Sequence, residues 1–492
     1  MAHAQNEVLV RNLLFCLAVL IGSPAFGDGL VAEYGGCAGT VPERIIDVGP
    51  LDDYRSILPT LQPGDLLRFA PGTYDLGLPL SGTAGEPDRC IVIEGPASGA
   101  RARFTARSCC NTVSLSDVAH VVIRNLELDG LDLAGVDAVK CESTASFAHH
   151  VTLENLLIHS HAGGSQQTVG ISTKCPAWNW VIRQNQIVGA PGDPPAGTGL
   201  YLGNSDGNAE FVHSLVEHNL VVDTIGYGMQ IKHQNGRPLA EMPVPGLTVV
   251  RHNVFVKANN GSTGASARPN LLVGHAPLSG PGADDVTEVY GNLFVENDSG
   301  TEGLFQGTGN IAFYSNLLFN DLGGGAFFQA HEGGLSRDVT VFRNTVAAAG
   351  TGISISSPDS GFTQRMVGNA VFAATPVSGG SQSGNSTGTF ASASASLAAP
   401  TAALPGLDLH PKVGELLGPA VDETGLDRFH DWDRDFNGSP RLATRRGAYA
   451  TDGPNPGWLP ALEPKPEPQI FTDGFESGDV SRWSATTPPS AP

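Results

Sequence analysis

Residues 180–188 read WVIRQNQIV, and this stretch decides the fold. Apolar and polar positions alternate up to Asn185, and an apolar run follows it. Alternation with period 2 is a strand signal, and Val, Ile, Leu and Phe fill it. Working outward, the same pattern returns as VVIRNLEL around Asn125, VTLENLLI around Asn155, SLVEHNLVV at Asn219, TVVRHNVFV at Asn253 and TEVYGNLFV at Asn292. Looser copies surround Asn316, Asn344 and Asn369. Successive Asn residues are 30, 30, 34, 34, 39, 24, 28 and 25 positions apart, so a repeat with insertions is present. Periods of this size mean stacked supersecondary units. The Asn is expected at the bend between two strands, in the left-handed conformation that Asn tolerates.

A second signature lies between the copies, a short strand led by Gly: GVDAVKCE, VGISTKC, GTGLYLGN, GYGMQIKH, GGAFFQAH and GTGISIS. Three short parallel strands per turn make a solenoid. No helical pattern separates them, which excludes a βαβ sheet. These motifs resemble the right-handed parallel β-helix of pectin and alginate lyases, with its internal Asn ladder. The resemblance covers about residues 45–375 and implies an all-β fold of nine or ten coils with an N-terminal cap. It speaks to fold more than to activity.

Of 492 residues 16% are charged, 62 are Gly, and the formal net charge is −21. So acidic a chain argues against nucleic-acid binding, which needs a basic footprint. A polyanionic ligand would require a local basic cleft. Residues 13–21 (LLFCLAVLI) are apolar but too short to span a bilayer, and Ala25-Phe26-Gly27 offers a cleavage site, so residues 1–27 read as a signal peptide. No later stretch reads as a membrane span. The protein is expected to be secreted and monomeric, with a surface association left open.

Six cysteines follow the signal segment: Cys37, Cys90, Cys109, Cys110, Cys141 and Cys175. An even number in an exported chain suggests disulfides. Cys141 and Cys175 each follow a Lys at the end of a Gly-led strand in adjacent coils. Parallel neighbours lie roughly 4.8 Å apart, within disulfide reach, so these two are expected to pair. The other four are left unassigned, and no CxxC metal spacing is present.

Residues 28–88 read as cap and first coil, with Asp52 or Asp53 capping a short helix to Leu61 that plugs the solenoid. The repeats occupy 89–375. Residues 376–403 are rich in Gly, Ser and Ala and read as a linker or a last coil. Residues 404–453 resemble the closing segment of exported β-helix proteins. Residues 454–492 are Pro-rich and end in a DGFESGD tail resembling a tag on secreted proteobacterial proteins.

The Gly-led strands place Lys140, Lys174 and Lys232 at equivalent positions, with Gly203–Asn204, Gly274–His275 and Gln329–His331 in other coils. Insertions at 190–198, 234–246 and 257–269 border these strands, and long loops in compact folds tend to carry function. The densest polar point runs from Met229 through Gln230, Lys232, His233, Gln234 and Asn235 to Arg237. A uronate lyase removes a weakly acidic proton beside a carboxylate and neutralises the developing charge. By resemblance to lyases of this fold, which typically use a Lys or Arg base and often Ca²⁺, Lys232 is the candidate base. His233 or His275 is the candidate proton donor, and Lys174 or Arg237 the carboxylate clamp. Tyr201 and Trp178 are candidates for stacking on sugar rings, and Asn204 and Gln230 for binding them. The implied ligand is an extracellular polysaccharide. Set against this, a Lys at a strand end is commonly just solvated.

Other patterns are weaker. His149-His150 and His159-x-His161 have metal-ligand chemistry but no third ligand near in sequence. Asp129, Asp132 and Asp137 precede the Lys140 strand, where carboxylates can hold Ca²⁺ or simply shape turns. Asp433-x-Asp435-x-Asn437-Gly438 matches half of an EF-hand loop, but Thr444 stands where a bidentate Glu belongs, so an ion-free turn is expected. The competing function is a non-catalytic surface or adhesion scaffold. Glycoside hydrolysis would need a carboxylate pair on the basic, amide-rich face.

Overall fold

The segment from Val181 to Leu202 shows how one coil is built. Val181–Arg183 is the first strand, Gln186–Val188 the second, and Thr198–Leu202 the Gly-led third. Each pairs in parallel with its counterpart in the next coil: Val181 with Leu215, Gln186 with Leu220, and Leu200 with Met229. The computed structural model describes residues 29–37, 40–108, 111–161, 169–189, 197–257, 261–297 and 302–467. Leu30–Pro468 form one compact unit, a parallel β-helix solenoid. Its first sheet stacks thirteen rungs from Arg44–Val48 to Ser381–Ser383, more than the nine or ten coils the repeats suggest. The extra rungs lie outside the Asn-marked region.

The Asn ladder is present, but the bend differs from the expectation. Asn185, Asn219, Asn253, Asn292, Asn316, Asn344, Asn369 and Asn385 form one column, each Nδ2 donating to the next Oδ1 at 2.9–3.0 Å. The left-handed residue is the one before each Asn: Gln184, His218, His252, Gly291, Ser315, Arg343, Gly368 and Gly384. Asn125 and Asn155 are themselves left-handed, with φ of 60° and 49°. They therefore sit one position earlier than the other copies, and Leu126 and Leu156 fill the ladder site in those coils. The ladder begins where the Leu156 N–H donates to Asn185 Oδ1.

The residue before the bend points outward and alternates in charge. Asp47, Arg68, Glu94, Arg124, Glu154, Arg183, Glu217 and Arg251 are in register. Arg183 bridges Glu154 and Glu217 at 2.7 and 2.9 Å, and Arg251 reaches Glu217 at 2.8 Å. Beyond Arg251 the column turns aromatic. Tyr290, Tyr314 and Phe342 stack with centroids 4.7 and 4.4 Å apart, the spacing that parallel strands impose. Helix Gly29–Gly35 and the C-terminal segment cover this face: Tyr34 packs with Val181 and Leu215, and Phe429 with Tyr314 and Phe342.

Inside, apolar side chains form continuous columns such as Ile182, Val216, Val250, Val289 and Phe313. The open end is closed by 3-10 turns Tyr54–Ser56 and Leu58–Thr60, not one helix to Leu61; Asp53 caps the first. Tyr54 meets Phe69, Tyr74 and Phe104 edge-on. Strands Ser381–Ser383 and Ser386–Gly388 add a rung within the Gly/Ser-rich region. Residues 454–467 dock on the solenoid through Lys465. Its ammonium lies 3.6 Å from the Phe436 ring centroid and donates to the carbonyls of Phe436 and Gly291. Asp435 accepts from the N–H groups of Asn437, Ser439 and Ala450, so the EF-hand-like stretch is a turn held by its own backbone.

Cys141 bonds to Cys175, and Cys37 to Cys90. The first pair is not directly opposed, because Cys141 aligns with Thr173. The bond runs diagonally between coils, with the Cα atoms 5.7 Å apart. Cys109 and Cys110, the signal segment and the terminal tail lie outside the described residues. Among the described residues no helix is long and apolar enough to cross a membrane.

Candidate active site

Parallel register turns the end of each Gly-led strand into a column. Thr173, Leu202, Ile231, Val273, Gly307 and Phe328 are mutually aligned. The next residues therefore run Lys174, Gly203, Lys232, Gly274, Thr308, Gln329. Lys140 does not belong to this column. It aligns with Ser172, two residues out, and Glu142 stands opposite Lys174. Lys140 contacts Asp137 at 3.1 Å and Glu142 at 3.3 Å, a local ion-pair cluster.

Lys232 sits between two glycines. A Cβ on Gly203 would come within 3.0 Å of Lys232 Cβ, and one on Gly274 within 2.4 Å of the His233 backbone nitrogen. Any larger residue would force the Lys232 corner outward, so both glycines fit the corner sterically. Lys232 is 8% exposed, and the carboxylate in contact is Glu332 at 3.8 Å. Burial pushes its pKa down from the ordinary Lys value, while Glu332 acts in the opposite sense. Of the two opposing effects at Lys232, desolvation is the larger.

Around it the structure gathers histidines. The His233 and His275 rings lie 5.4 Å apart. Burial lowers the pKa of His233 and of His331, whose Nε2 is 3.8 Å from Glu332. Nδ1 of His233 is buried and has no hydrogen-bond partner among the described residues. His275 is more tightly engaged: Nδ1 faces the Ala276 carbonyl at 2.7 Å and Nε2 the Glu332 carbonyl at 3.1 Å. His275 therefore serves as a brace between its own strand end and the Glu332 turn.

The remaining predicted residues are spread more widely. Arg237 is paired with Asp285 and donates to Gln234, which locks the 234–246 insertion to the solenoid instead of presenting a free clamp. Asn204 Oδ1 accepts from the N–H groups of Asn208 and Ala209, closing its own turn. Gln230 and Tyr201 are neighbours in the outward column, but only 3% and 6% exposed. Lys174 lies 5.3 Å over the Tyr201 ring, so the cation occupies a face a sugar would use. Burial pushes the Tyr201 hydroxyl up to about 12. Trp178 is buried against His149, Val212 and Met242. Much of the 190–198 insertion lies outside the described residues.

Glu332 is the residue sequence reasoning missed. It follows the Gly-led strand three rungs beyond Lys232, on a turn with φ +50° closed between His331 and Gly334. The only signal was its place after Gln329–His331 in the same column. Ca²⁺ ligands do not assemble from the acidic residues singled out. Asp129 is occupied by Arg103 and the Leu131 N–H, and Asp137 by Lys140 and the Val169 N–H. Among the described residues Asp129 groups with Glu127 and His159, one ligand atom of each within 4.8 Å of the others, while Asp132 and Asp137 join no such group. A shallow depression lined by Asp47, Val48, Asp52, Arg68 and Pro71 lies at the cap end, several rungs from Lys232.

No family model matches the chain, and no curated protein matches it. Solved structures with a similar backbone include a lacto-N-biosidase from Eubacterium ramulus, at TM-score 0.49 and 12% identity, over 70% of this chain and 68% of that one. A pectate lyase is similar at TM-score 0.46 and 13% identity, over 85% and 98%. A polysaccharide lyase from Pseudopedobacter saltans is similar at TM-score 0.47 and 12% identity, over 70% and 93%.

Proposed function

We propose that the protein acts on an extracellular polysaccharide at the Lys232 corner, cleaving a uronic-acid polymer by β-elimination. The observation that carries this reading is a desolvated lysine, its pKa lowered, between two glycines and beside His233 and His331. Lys232 takes the proton next to the uronate carboxylate. His233 is the candidate donor to the departing glycosidic oxygen. Lys174 is the cation nearest in the column to offset carboxylate charge. The two disulfides fit an oxidising compartment, consistent with export.

One observation favours the scaffold reading instead. Gln230, Tyr201 and His275 are almost fully buried, and Arg237 and Asn204 are committed to internal contacts. Incubating the protein with pectate, alginate, chondroitin and heparosan, with and without Ca²⁺, separates the two. Ultraviolet absorbance from an unsaturated product supports the lyase. A folded protein that yields none on any polymer, yet is retained by one of them, supports a binding scaffold.

A further inference from the structure

On the first sheet, His120 converges with the adjacent pair His149 and His150 from the next coil. His149 and His150 belong to strand Ala148–Glu154, and His120 to the neighbouring strand Val118–Arg124. Consecutive strand residues normally point to opposite faces. Here His120 and His150, at the same register, both adopt the left-handed conformation, with φ of 52° and 51°. That local break brings the rings together. The His120 and His150 rings stack at 4.3 Å, and His149 meets each edge-on.

We propose that His120, His149 and His150 form a binding site for a divalent transition-metal ion of the Zn²⁺ class. One ring nitrogen from each lies within 4.8 Å of the other two. Nδ1 of His149 and Nδ1 of His150 are 2.8 Å apart. A tetrahedral ion with bonds of about 2.0–2.1 Å holds its nitrogens roughly 3.3 Å apart, so the pair must open by only about half an ångström. His120 supplies an independent sign. It is 9% exposed, and its Nδ1 has no hydrogen-bond partner among the described residues. A buried polar atom without a partner is costly unless something unseen satisfies it.

The surroundings suit a metal more than a proton. Burial lowers the pKa of all three imidazoles, so their lone pairs are available at neutral pH. His149 packs against Phe147 and Trp178, with ring centroids 5.7 and 4.6 Å away. Gly36 faces the cluster, where a Cβ would sit 3.1 Å from His150 and 3.8 Å from His120, and the adjoining Cys37–Cys90 disulfide fixes that segment. The sulfurs are bonded to each other and are not counted as ligands. His149 and His150 are half-buried, which leaves an approach from solvent.

Calorimetric titration of untagged, chelator-stripped full chain with Zn²⁺ tests the site, with the visible spectrum of a Co²⁺ complex reporting geometry. One equivalent is expected, with a tetrahedral Co²⁺ spectrum. His150→Ala and His120→Gln should each abolish it, while His159→Ala leaves it intact. Circular dichroism establishes that each variant is folded, and His149→Gln replaces any that is not. No binding to the parent chain, or binding that survives His150→Ala and is lost in His159→Ala, would overturn the proposal.

Discussion

Replacing Asn253 by Ala should be among the most damaging single changes in the solenoid, although it removes only a small polar side chain. Its Oδ1 accepts from the Asn219 backbone N–H at 3.0 Å and from Asn219 Nδ2 at 2.9 Å. Its Nδ2 donates to Asn292 Oδ1 and to the Val216 and Arg251 carbonyls. Asn219, Asn253 and Asn292 are fully buried, so water cannot replace what is lost. Two orphaned donors at about 1–3 kcal/mol each give a loss of about 2–6 kcal/mol. Asn385 provides the control. It accepts the same two bonds, from Asn369 at 2.9 and 3.0 Å, but at the half-buried end of the ladder. The donors it would orphan belong to Asn369, itself fully buried, but the gap left at the half-buried end admits water to them, so Asn385→Ala should cost about 1 kcal/mol. Urea unfolding followed by far-ultraviolet circular dichroism would compare the two, provided the slopes agree. Equal losses would refute the reasoning, because burial and not bond count is held to set the cost.

Further outcomes are open to measurement. Glu332→Gln removes the charge that holds the Lys232 pKa up, so any activity limited by neutral Lys232 should begin at lower pH; an unchanged or upward-shifted pH profile would count against Lys232 as the base. His218 is buried with its pKa depressed to about 3, and that of buried His252 is also well below normal. As pH falls below about 6.5 the unfolded state takes up protons that the native state refuses. Stability should therefore fall with acidification, and the fall should be shallower in Lys465→Met, since Lys465 depresses both histidines. Breaking either disulfide, which close intervals of 34 and 53 residues, should cost about 4 kcal/mol in the chain-entropy account, measured as a lower unfolding midpoint in Cys175→Ser or Cys90→Ser.

The coil was legible because its causes are local. Alternating side chains, a bend residue and a Gly-led strand recur in sequence wherever they recur in space. The outer charge ladder went unread, although Arg183, Glu217 and Arg251 stand at the polar position before each bend. Register was less secure. Asn125 and Asn155 match the letter of the repeat but not its position, since Asn serves both as the left-handed residue and as the internal ladder residue. Lys140 failed for a related reason: its strand is displaced by two relative to the Lys174 strand, which preserves the pleat and so leaves the pattern unchanged. The site was only half legible. Lys232 and His233 stood out, but Glu332 arrives from a turn three rungs away, and nothing in the Lys232 segment encodes that approach. The fates of Arg237 and His275 depended on Asp285 and on two backbone carbonyls, which no spacing rule reaches.

The most direct test of the Lys232 corner is turnover of a uronic-acid polymer by Lys232→Ala beside Lys140→Ala, followed by absorbance of the unsaturated product. The account predicts that the first variant loses product formation while remaining folded, and that the second, outside the column, retains it. Full turnover in Lys232→Ala would contradict the assignment.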